Sequence, residues 1–255
     1  MTMKYSVCAS AVYAGVPLAE AIPRIKDAGY EAYEFWSWWD QELDAVDAAR
    51  KQAGLKTAAM CTRFAALNDP SKRDMYIEGL IASIDTAKRL DCPVLISQVG
   101  HEIPKMTRQE QHKSIVEGLR ACAPILKKAG ITLAIEPLNT LVNHKGYYLY
   151  RSDEGFDILH EVSSPNVRLL FDVYHQQIME GNIVQNLTRN VRDIAHVHIA
   201  GNPGRHEPYE NSELDYSTVL KALKAAGYEG YVGLEYLPLR DPDESLRILP
   251  ERMPL

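Results

Sequence analysis

The sequence predicts a (β/α)8 barrel, also called a TIM barrel, formed by a single domain over residues 1–255. Helix-like amphipathic segments alternate with short apolar or β-branched runs along the whole chain, and eight such runs are present. Runs such as VLIS (94–97) and RLLF (168–171) each contain three consecutive apolar residues, as expected of parallel strands covered on both faces. A length of 255 residues also suits a one-domain barrel.

The strand predictions depend on the joint between each helix end and the apolar run that follows. Four joints carry glycine just past the helix, where a left-handed backbone has a steric cost for other residues: Gly29, Gly54, Gly130 and Gly227. Two further joints use proline, Pro93 and Pro165, which ends the preceding helix. The predicted strands lie, in chain order, within 4–10, 27–35, 52–60, 90–98, 128–136, 163–172, 193–200 and 225–235.

Helices are predicted between the strands. A doubly wound open sheet would show the same alternation, because periodicity alone does not separate the two architectures. The GxGxxG motif expected after the first strand of a nucleotide-binding open sheet is absent, which favours the barrel. The predicted helices span about 17–28, 40–53, 71–90, 107–129, 152–162, 174–190 and 214–226, followed by a short, proline-interrupted tail at 242–255.

The amino-acid composition limits the kinds of molecule that the protein could bind and the cellular compartment in which it is expected. The net charge is −6, and no cluster of Lys and Arg is present, which argues against nucleic acid as a partner. No apolar run has membrane-spanning length, and the amino terminus lacks a signal-peptide core, so no membrane partner is expected. Without CxxC spacing, the four cysteines predict free thiols in a reducing compartment, and we expect a cytoplasmic protein. They are Cys8, Cys61, Cys92 and Cys122.

Residues that close the last four predicted strands point to a metal site. In a (β/α)8 barrel the active site lies at the carboxyl ends of the strands. Three carboxylates and one imidazole at one mouth would raise each other's pKa values unless a cation lay among them, although any one carboxylate there could simply cap a helix. Three oxygen donors and one nitrogen suit a divalent ion, Mn²⁺, Mg²⁺ or Co²⁺, with Zn²⁺ also possible. The four residues are Glu136, Asp172, His198 and Glu235.

Several short motifs in this half of the chain resemble one family. They occur in order as IEPLN (135–139), FDVYH (171–175), HVHIAGNPGRHEP (196–208), ELDY (213–216) and GYEGYVGLEY (227–236). Together they are similar to the hydroxypyruvate isomerase family, within the superfamily of xylose-isomerase-like barrels that includes the ketose 3-epimerases. The resemblance covers essentially the whole chain and is strongest over 136–236.

The resemblance implies one divalent metal ion, most readily Mn²⁺ or Mg²⁺, held by the four strand-end residues. It also implies that Glu136 and Glu235 act as the acid/base pair. His175, Arg205 and His206 would contact the substrate. The segment YENSELDY (209–216) is longer than the turn usual in the family, and this departure bears on substrate choice.

The chemistry expected of such a site is proton transfer next to a carbonyl group. A metal bound to both oxygens of a hydroxy-carbonyl compound stabilises the enediolate that forms when the carbon-bound proton is removed. Returning that proton to the neighbouring carbon would interconvert hydroxypyruvate and tartronate semialdehyde. Returning it to the same carbon from the other face would be epimerisation, and the four ligands do not decide between these reactions.

Cationic side chains bear on that choice, because an acid substrate needs them and a neutral sugar needs fewer. Arg205 has the planar fork that binds a carboxylate, with Lys145 and His206 as possible helpers, although Arg205 could instead pair with Glu207 or Glu213. His175 could donate a hydrogen bond to the developing oxyanion or merely cap the next helix.

Other features have two readings each. Trp36, Trp38 and Trp39 could cover the pocket or pack against a helix, and Glu34, Gln98 and His101 are weaker candidates for a place near the site. His196 is expected to lie deeper than His198, either in the core or in support of the site residues. A short, proline-broken last helix would leave part of the barrel uncovered, which predicts a homo-oligomer.

The alternatives to an isomerase of an acid are a sugar epimerase or aldose–ketose isomerase, an abasic-site endonuclease, and a barrel without catalysis.

Overall fold

A computed structural model describes residues 3–255 and contains one closed barrel of eight parallel strands. The strands pair in chain order, and the last pairs with the first. This closure confirms the predicted (β/α)8 fold and excludes the open sheet. The strands are β1 (Lys4–Cys8), β2 (Ala32–Phe35), β3 (Lys56–Cys61), β4 (Val94–Ser97), β5 (Thr132–Ile135), β6 (Val167–Asp172), β7 (Ile194–Ile199) and β8 (Tyr231–Leu234).

The helices surround the barrel, and they differ in number from the prediction. The segment predicted as one helix over 174–190 is two, because Gly181 and Asn182 between them adopt left-handed backbone with φ of 62° and 48°. A four-residue helix that was not predicted follows β1 directly. The helices are α1 (Ala9–Val12), α2 (Leu18–Asp27), α3 (Leu43–Ala53), α4 (Arg73–Arg89), α5 (Arg108–Ala129), α6 (Ser152–Val162), α7 (Val173–Met179), α8 (Ile183–Arg189), α9 (Tyr216–Ala225) and α10 (Pro242–Arg252).

The last helix is longer and better packed than the sequence suggested. α10 continues through Pro250 for 11 residues and buries Leu246 and Leu249. Its first turn pairs with α2 through Asp243 and Arg24 at 3.0 Å, and Tyr30 donates a hydrogen bond to the Leu246 carbonyl. The observation behind the expected homo-oligomer was therefore wrong, and the oligomeric state itself stays a prediction.

Strand alternation determines what lies beneath the mouth of the barrel. Residues two positions apart on a strand point to the same face, so Leu170 lies below Asp172 and His196 lies below His198. Ala134 and Leu170 belong to a small apolar cluster that fills part of the interior, with Ala59 and Ile96. The interior beneath β7 differs, because His196 is a buried polar residue there.

Two further sequence expectations concern features outside the barrel interior. Within residues 3–255, no helix is long and apolar enough to cross a membrane. The four cysteines are unpaired, as predicted, and three of them are buried.

Candidate active site

The four predicted strand-end residues converge at one mouth of the barrel. All four are buried, and strand pairing places Asp172 opposite His198 and His198 opposite Gly233. His198 Nδ1 lies 3.3 Å from Glu235 Oε2 and 3.8 Å from Glu136 Oε1. Carboxylate oxygens of Glu136, Asp172 and Glu235 lie within 4.8 Å of one another. The parallel register therefore gathers into one cluster residues that are up to 99 positions apart in sequence.

This cluster fits a divalent cation. Three buried carboxylates repel each other unless a positive charge lies among them. His198 Nδ1 faces two of them and is buried without a hydrogen-bond partner among the described residues. Burial lowers the pKa of His198, but the charges of Glu235 and Glu34 outweigh burial and raise it well above its usual value. An imidazole nitrogen and carboxylate oxygens are donors suited to Mn²⁺, Zn²⁺ and related ions.

His175 joins the same cluster but presents a proton rather than a lone pair. Its Nδ1 accepts hydrogen bonds from the backbone N–H of Asn139 at 3.2 Å and from the Asn139 side chain at 2.6 Å. Burial lowers the pKa of His175 to about 4, so the ring is neutral at pH 7 and its proton is on Nε2. Nε2 lies 3.5 Å from Asp172 Oδ2 and has no hydrogen-bond partner among the described residues. The side chain therefore offers an N–H donor to the cluster, and the cap of α7 is Asp172, whose Oδ1 accepts the His175 backbone N–H.

Arg205 lies directly over the carboxylates. Its guanidinium forms an ion pair with Glu235 and lies 3.9 Å from Asp172 and 5.5 Å from the centre of the Tyr174 ring. Its backbone is left-handed, with φ of 59°, which is uncommon for a residue with a side chain. The alternative pairing with Glu207 or Glu213 does not occur, because Glu207 accepts the Leu239 backbone N–H and Glu213 accepts from Asn202.

The two glutamates of the proposed acid/base pair have different surroundings. Burial opposes ionisation of Glu235, yet the charges of Arg205 and His198 outweigh burial and hold its pKa well below the usual range. Trp36 Nε1 donates a hydrogen bond to Glu235 Oε1 at 2.6 Å, and Arg205 binds Oε2. Burial, with the charge of Glu235 adding to it, raises the pKa of Glu136 to about 7. Both oxygens of Glu235 are therefore held, and Glu136 is the more basic of the two carboxylates.

The cluster forms one side of a cavity of about 330 Å³. The lining also contains an aromatic part, hereafter the aromatic wall, formed by Trp36, Trp39 and Phe64. The tryptophans thus divide between the two predicted roles, because Trp38 packs on the core and donates to Ser83 Oγ at 3.2 Å. The lining residues are Trp36, Ser37, Trp39, Cys61, Thr62, Phe64, Ile96, Gln98, Glu136, Leu138, His144, His175, His198, Arg205 and Glu235.

The remaining candidates lie in different places. Gln98 lines the cavity, whereas His101 is exposed and pairs by a β-bridge with Tyr147. Lys145 is exposed and does not line the cavity, and neither does His206, whose Nδ1 lies 2.8 Å from the Leu237 carbonyl oxygen. The roles of Lys145 and His206 as substrate contacts stay predictions.

Two lining residues were missed or left undecided. His144 was not singled out, yet its ring lies 5.3 Å from that of His175 and it lines the cavity. Its only sequence signal is its position in the long loop after β5. Trp36 was recognised as part of an aromatic cluster, but nothing in the sequence indicates its bond to Glu235.

Comparisons with known proteins agree with this geometry. A family model described as a xylose isomerase-like TIM barrel matches residues 22–252. The putative hydroxypyruvate isomerase of Homo sapiens is 30% identical over 86% of this chain and 83% of its own. The hydroxypyruvate isomerase of Escherichia coli strain K12 is 31% identical over 70% of this chain and 68% of its own.

Solved structures share the architecture. A structure described as AP endonuclease, family 2, from Brucella melitensis has a TM-score of 0.91 and 26% identity, and the match covers 99% of this chain and 100% of that one. A structure of an L-ribulose 3-epimerase has a TM-score of 0.78 and 21% identity over 93% of this chain and 82% of that one, which shows the fold alone.

The chain belongs to the xylose isomerase-like TIM barrel family. Within it, the chain groups with the hydroxypyruvate isomerases, and it is an isomerase.

Proposed function

We propose that this protein is a metal-dependent isomerase of a small hydroxy-carbonyl acid, of which hydroxypyruvate and tartronate semialdehyde are the model pair. The observation that carries the proposal is the convergence of Glu136 and Glu235 on His198 Nδ1 in a buried cluster beside an open cavity. Two carboxylates that flank one bound substrate can remove a proton and return it. The relatives named hydroxypyruvate isomerase support this reaction class.

The metal would be held by the three carboxylates and by His198 Nδ1. Mn²⁺ or Mg²⁺ fits the oxygen-rich donor set best, with Co²⁺ and Zn²⁺ as alternatives. When bound, the metal would act as a Lewis acid that stabilises negative charge on the oxygens of the substrate. The proposed ligands are Glu136, Asp172 and Glu235, whose carboxylate oxygens lie within 4.8 Å of one another, and His198, whose Nδ1 faces Glu136 and Glu235.

The other residues of the cluster have separate roles in this proposal. Glu136 is the base that removes the carbon-bound proton, because Trp36 and Arg205 already hold both oxygens of Glu235. The Glu136 carboxyl then returns this proton to the neighbouring carbon, while Glu235 stays ionised and holds Arg205. His175 donates its Nε2–H to a substrate oxygen. Arg205 exchanges part of its pairing with Glu235 for the carboxylate of the substrate.

A second reaction, on a neutral sugar, is favoured by the cavity wall. Trp39, Phe64 and Leu138 give the wall an apolar surface suited to the C–H face of a sugar, and among the lining residues within 3–255 Arg205 is the one Arg or Lys. A volume of about 330 Å³ also has room for a substrate longer than three carbons. Ketose 3-epimerisation or aldose–ketose isomerisation is therefore the alternative that we retain.

The remaining alternatives have less support. Cleavage of nucleic acid in this superfamily needs further His and carboxylate ligands at β2 to β4 and a basic face. The residues that line the cavity after those strands are Trp36, Ser37, Trp39, Thr62, Phe64 and Gln98, and none of these six is a histidine or a carboxylate. The net charge is −6. A barrel without catalysis would bind metal and exchange no substrate proton.

The test is a proton-exchange screen in heavy water. The chain is stripped with a chelator, reloaded with Mg²⁺ or Mn²⁺, and incubated with hydroxypyruvate, 2-oxotetronates and common ketoses, and NMR records loss of carbon-bound protons. Exchange and isomer formation with an acid are expected, and Glu136→Gln should slow both by about 100-fold or more. Exchange with ketoses alone would favour the sugar reaction. Metal binding without exchange of any substrate proton would contradict an isomerase.

Two wider expectations remain proposals. We propose a cytoplasmic location, since the cysteines are free thiols, and a homo-oligomeric state. Light scattering that finds only a monomer of 28.7 kDa at all concentrations would contradict the second.

A further inference from the structure

Beneath the metal cluster, a carboxylate crosses the interior of the barrel. Glu34 belongs to β2, yet it contacts His196 and His198 on β7, although β8 and β1 separate these strands. Ser6 on β1 pairs with Gly233 on β8, and Gly233 pairs with His198. These two small residues leave the space that the Glu34 side chain occupies. A Cβ atom at Gly233 would lie 2.5 Å from Glu34 Oε1 and 2.6 Å from His198 Cδ2.

The contacts of this carboxylate are specific. Glu34 is 1% exposed, and a buried carboxylate is costly unless it is paired and hydrogen-bonded. Its Oε2 lies 2.6 Å from His196 Nε2 and accepts a hydrogen bond from Ser6 Oγ at 2.9 Å. Its Oε1 lies 2.7 Å from His198 Nε2. His196 and Ser6 thus hold Oε2 from below, and Oε1 faces the imidazole of His198 above it.

This arrangement determines which nitrogen of His198 is available to a metal. An unprotonated Nε2 would place its lone pair 2.7 Å from a carboxylate oxygen, and the two would repel each other. Nε2 therefore carries a proton, and Nδ1 is the nitrogen that can offer a lone pair. Nδ1 lies 3.8 Å from Glu136 Oε1 and 3.3 Å from Glu235 Oε2, farther from a carboxylate oxygen than Nε2 is from Glu34 Oε1, so the shorter distance favours the proton on Nε2.

We propose that Glu34 is a positioning residue that holds His198 as an Nδ1 metal ligand, with His196 and Ser6 anchoring Glu34 in turn. A carboxylate behind a metal-bound histidine fixes the ring orientation and tautomer and increases its strength as a ligand. This inference rests on the metal dependence in the proposed function. In this proposal, residues inside the barrel increase the affinity for the metal, and residues at the mouth carry out the reaction.

The first test measures metal affinity rather than activity. Glu34→Gln keeps the size of the side chain but offers His198 either a donor or an acceptor, so the tautomer is no longer imposed. Titration with Mn²⁺, read from the electron paramagnetic resonance signal of the free ion, should show a weakening of about 10- to 100-fold. The control is Glu180→Gln, because Glu180 is also a buried carboxylate, with a side chain 4% exposed, but it bonds to Ser152 away from the cluster.

The outcomes separate this inference from the proposed function. If the wild-type chain binds no Mn²⁺, the metal dependence and this inference both fail. If the wild-type chain binds Mn²⁺ and Glu34→Gln binds it equally well, only the positioning role is overturned. A loss of affinity as large in Glu180→Gln as in Glu34→Gln would also overturn it, because the effect would then be general destabilisation.

A second measurement needs no variant at position 34. In wild-type protein with ¹⁵N-labelled histidine and bound Zn²⁺, long-range proton–nitrogen NMR correlations distinguish a protonated Nε2 from a protonated Nδ1. His198→Gln identifies the signals of that ring among the eight histidines. A proton on Nε2 of His198 supports the inference, and a proton on Nδ1 overturns it.

Discussion

The indole Nε1–H of Trp36 donates a hydrogen bond to Glu235 Oε1 at 2.6 Å, while Arg205 binds the other oxygen of the same carboxylate. Trp36 follows β2 and forms part of the cavity wall, with 39% of its surface exposed. The orientation of a carboxylate at the end of β8 therefore depends on a loop from another strand. A substrate that moves the aromatic wall would also move this hydrogen bond.

Removing that donor should slow turnover without unfolding the barrel. Trp36→Phe keeps an aromatic wall but leaves Glu235 Oε1 without the N–H. Hydrogen bonds to charged groups contribute about 1.5–3 kcal/mol, so we expect kcat/KM to fall by about 10- to 100-fold. Trp39→Phe is the matched control, since Trp39 lines the same cavity and makes no such bond to Glu235. Equal losses in the two variants would mean that the wall acts only through its shape.

Arg205 should discriminate acid from neutral substrates. Arg205→Leu removes the guanidinium that lies over Glu235 and Asp172, so turnover of every substrate should decrease. The informative quantity is the ratio of kcat/KM for an acid to that for a ketose, which we expect to fall by about 100-fold, because a charge-assisted bidentate contact is lost only for the acid. Arg205→Lys should restore part of the ratio. An unchanged ratio would assign Arg205 to holding Glu235 alone.

Metal binding should stabilise the folded chain. A ligand that binds only the native state adds about 2.7 kcal/mol to the free energy of unfolding at 100 times its Kd. Thermal unfolding with increasing Mn²⁺ should therefore show a rising midpoint in the wild-type chain. Asp172→Asn should abolish this rise, because it removes one of the three clustered carboxylates. A midpoint that rises equally in Asp172→Asn would place the metal elsewhere.

The sequence predicted the cluster better than it predicted its surroundings. Glu136 and Glu235 could be placed because, in a parallel barrel, all the apolar runs end at the same mouth. A shift of one residue in a strand would turn each side chain to the other face of the sheet, so the position of each glutamate is well defined. Loops follow no such period. The bond from Trp36, the approach of His144 and the exposed position of Lys145 depend on loop paths that no spacing specifies.

Contacts in the barrel interior beneath the cluster were also only partly predictable from the sequence. His196 could be placed below His198 by alternation, but the reach of Glu34 depends on small residues, Ser6 and Gly233, on two other strands. No sequence pattern indicates that Ser6 and Gly233 have a structural role. They matter because the barrel register puts them side by side between β2 and β7.

Gly233 therefore gives a separate prediction. A methyl group there would lie within 2.6 Å of both Glu34 and His198, and neither can move far in a packed interior. Gly233→Ala should lower the free energy of unfolding by about 1–3 kcal/mol, as overpacking does, and should also weaken Mn²⁺ binding. Gly155→Ala is the matched control, because its methyl group would lie 2.6 Å from Leu169 Cδ1, on the outer side of the strand away from His198. If both variants lose stability and only Gly233→Ala loses metal affinity, the space beside Gly233 serves the ligand His198. If metal affinity is unchanged in Gly233→Ala despite the loss of stability, the glycine is needed for packing alone.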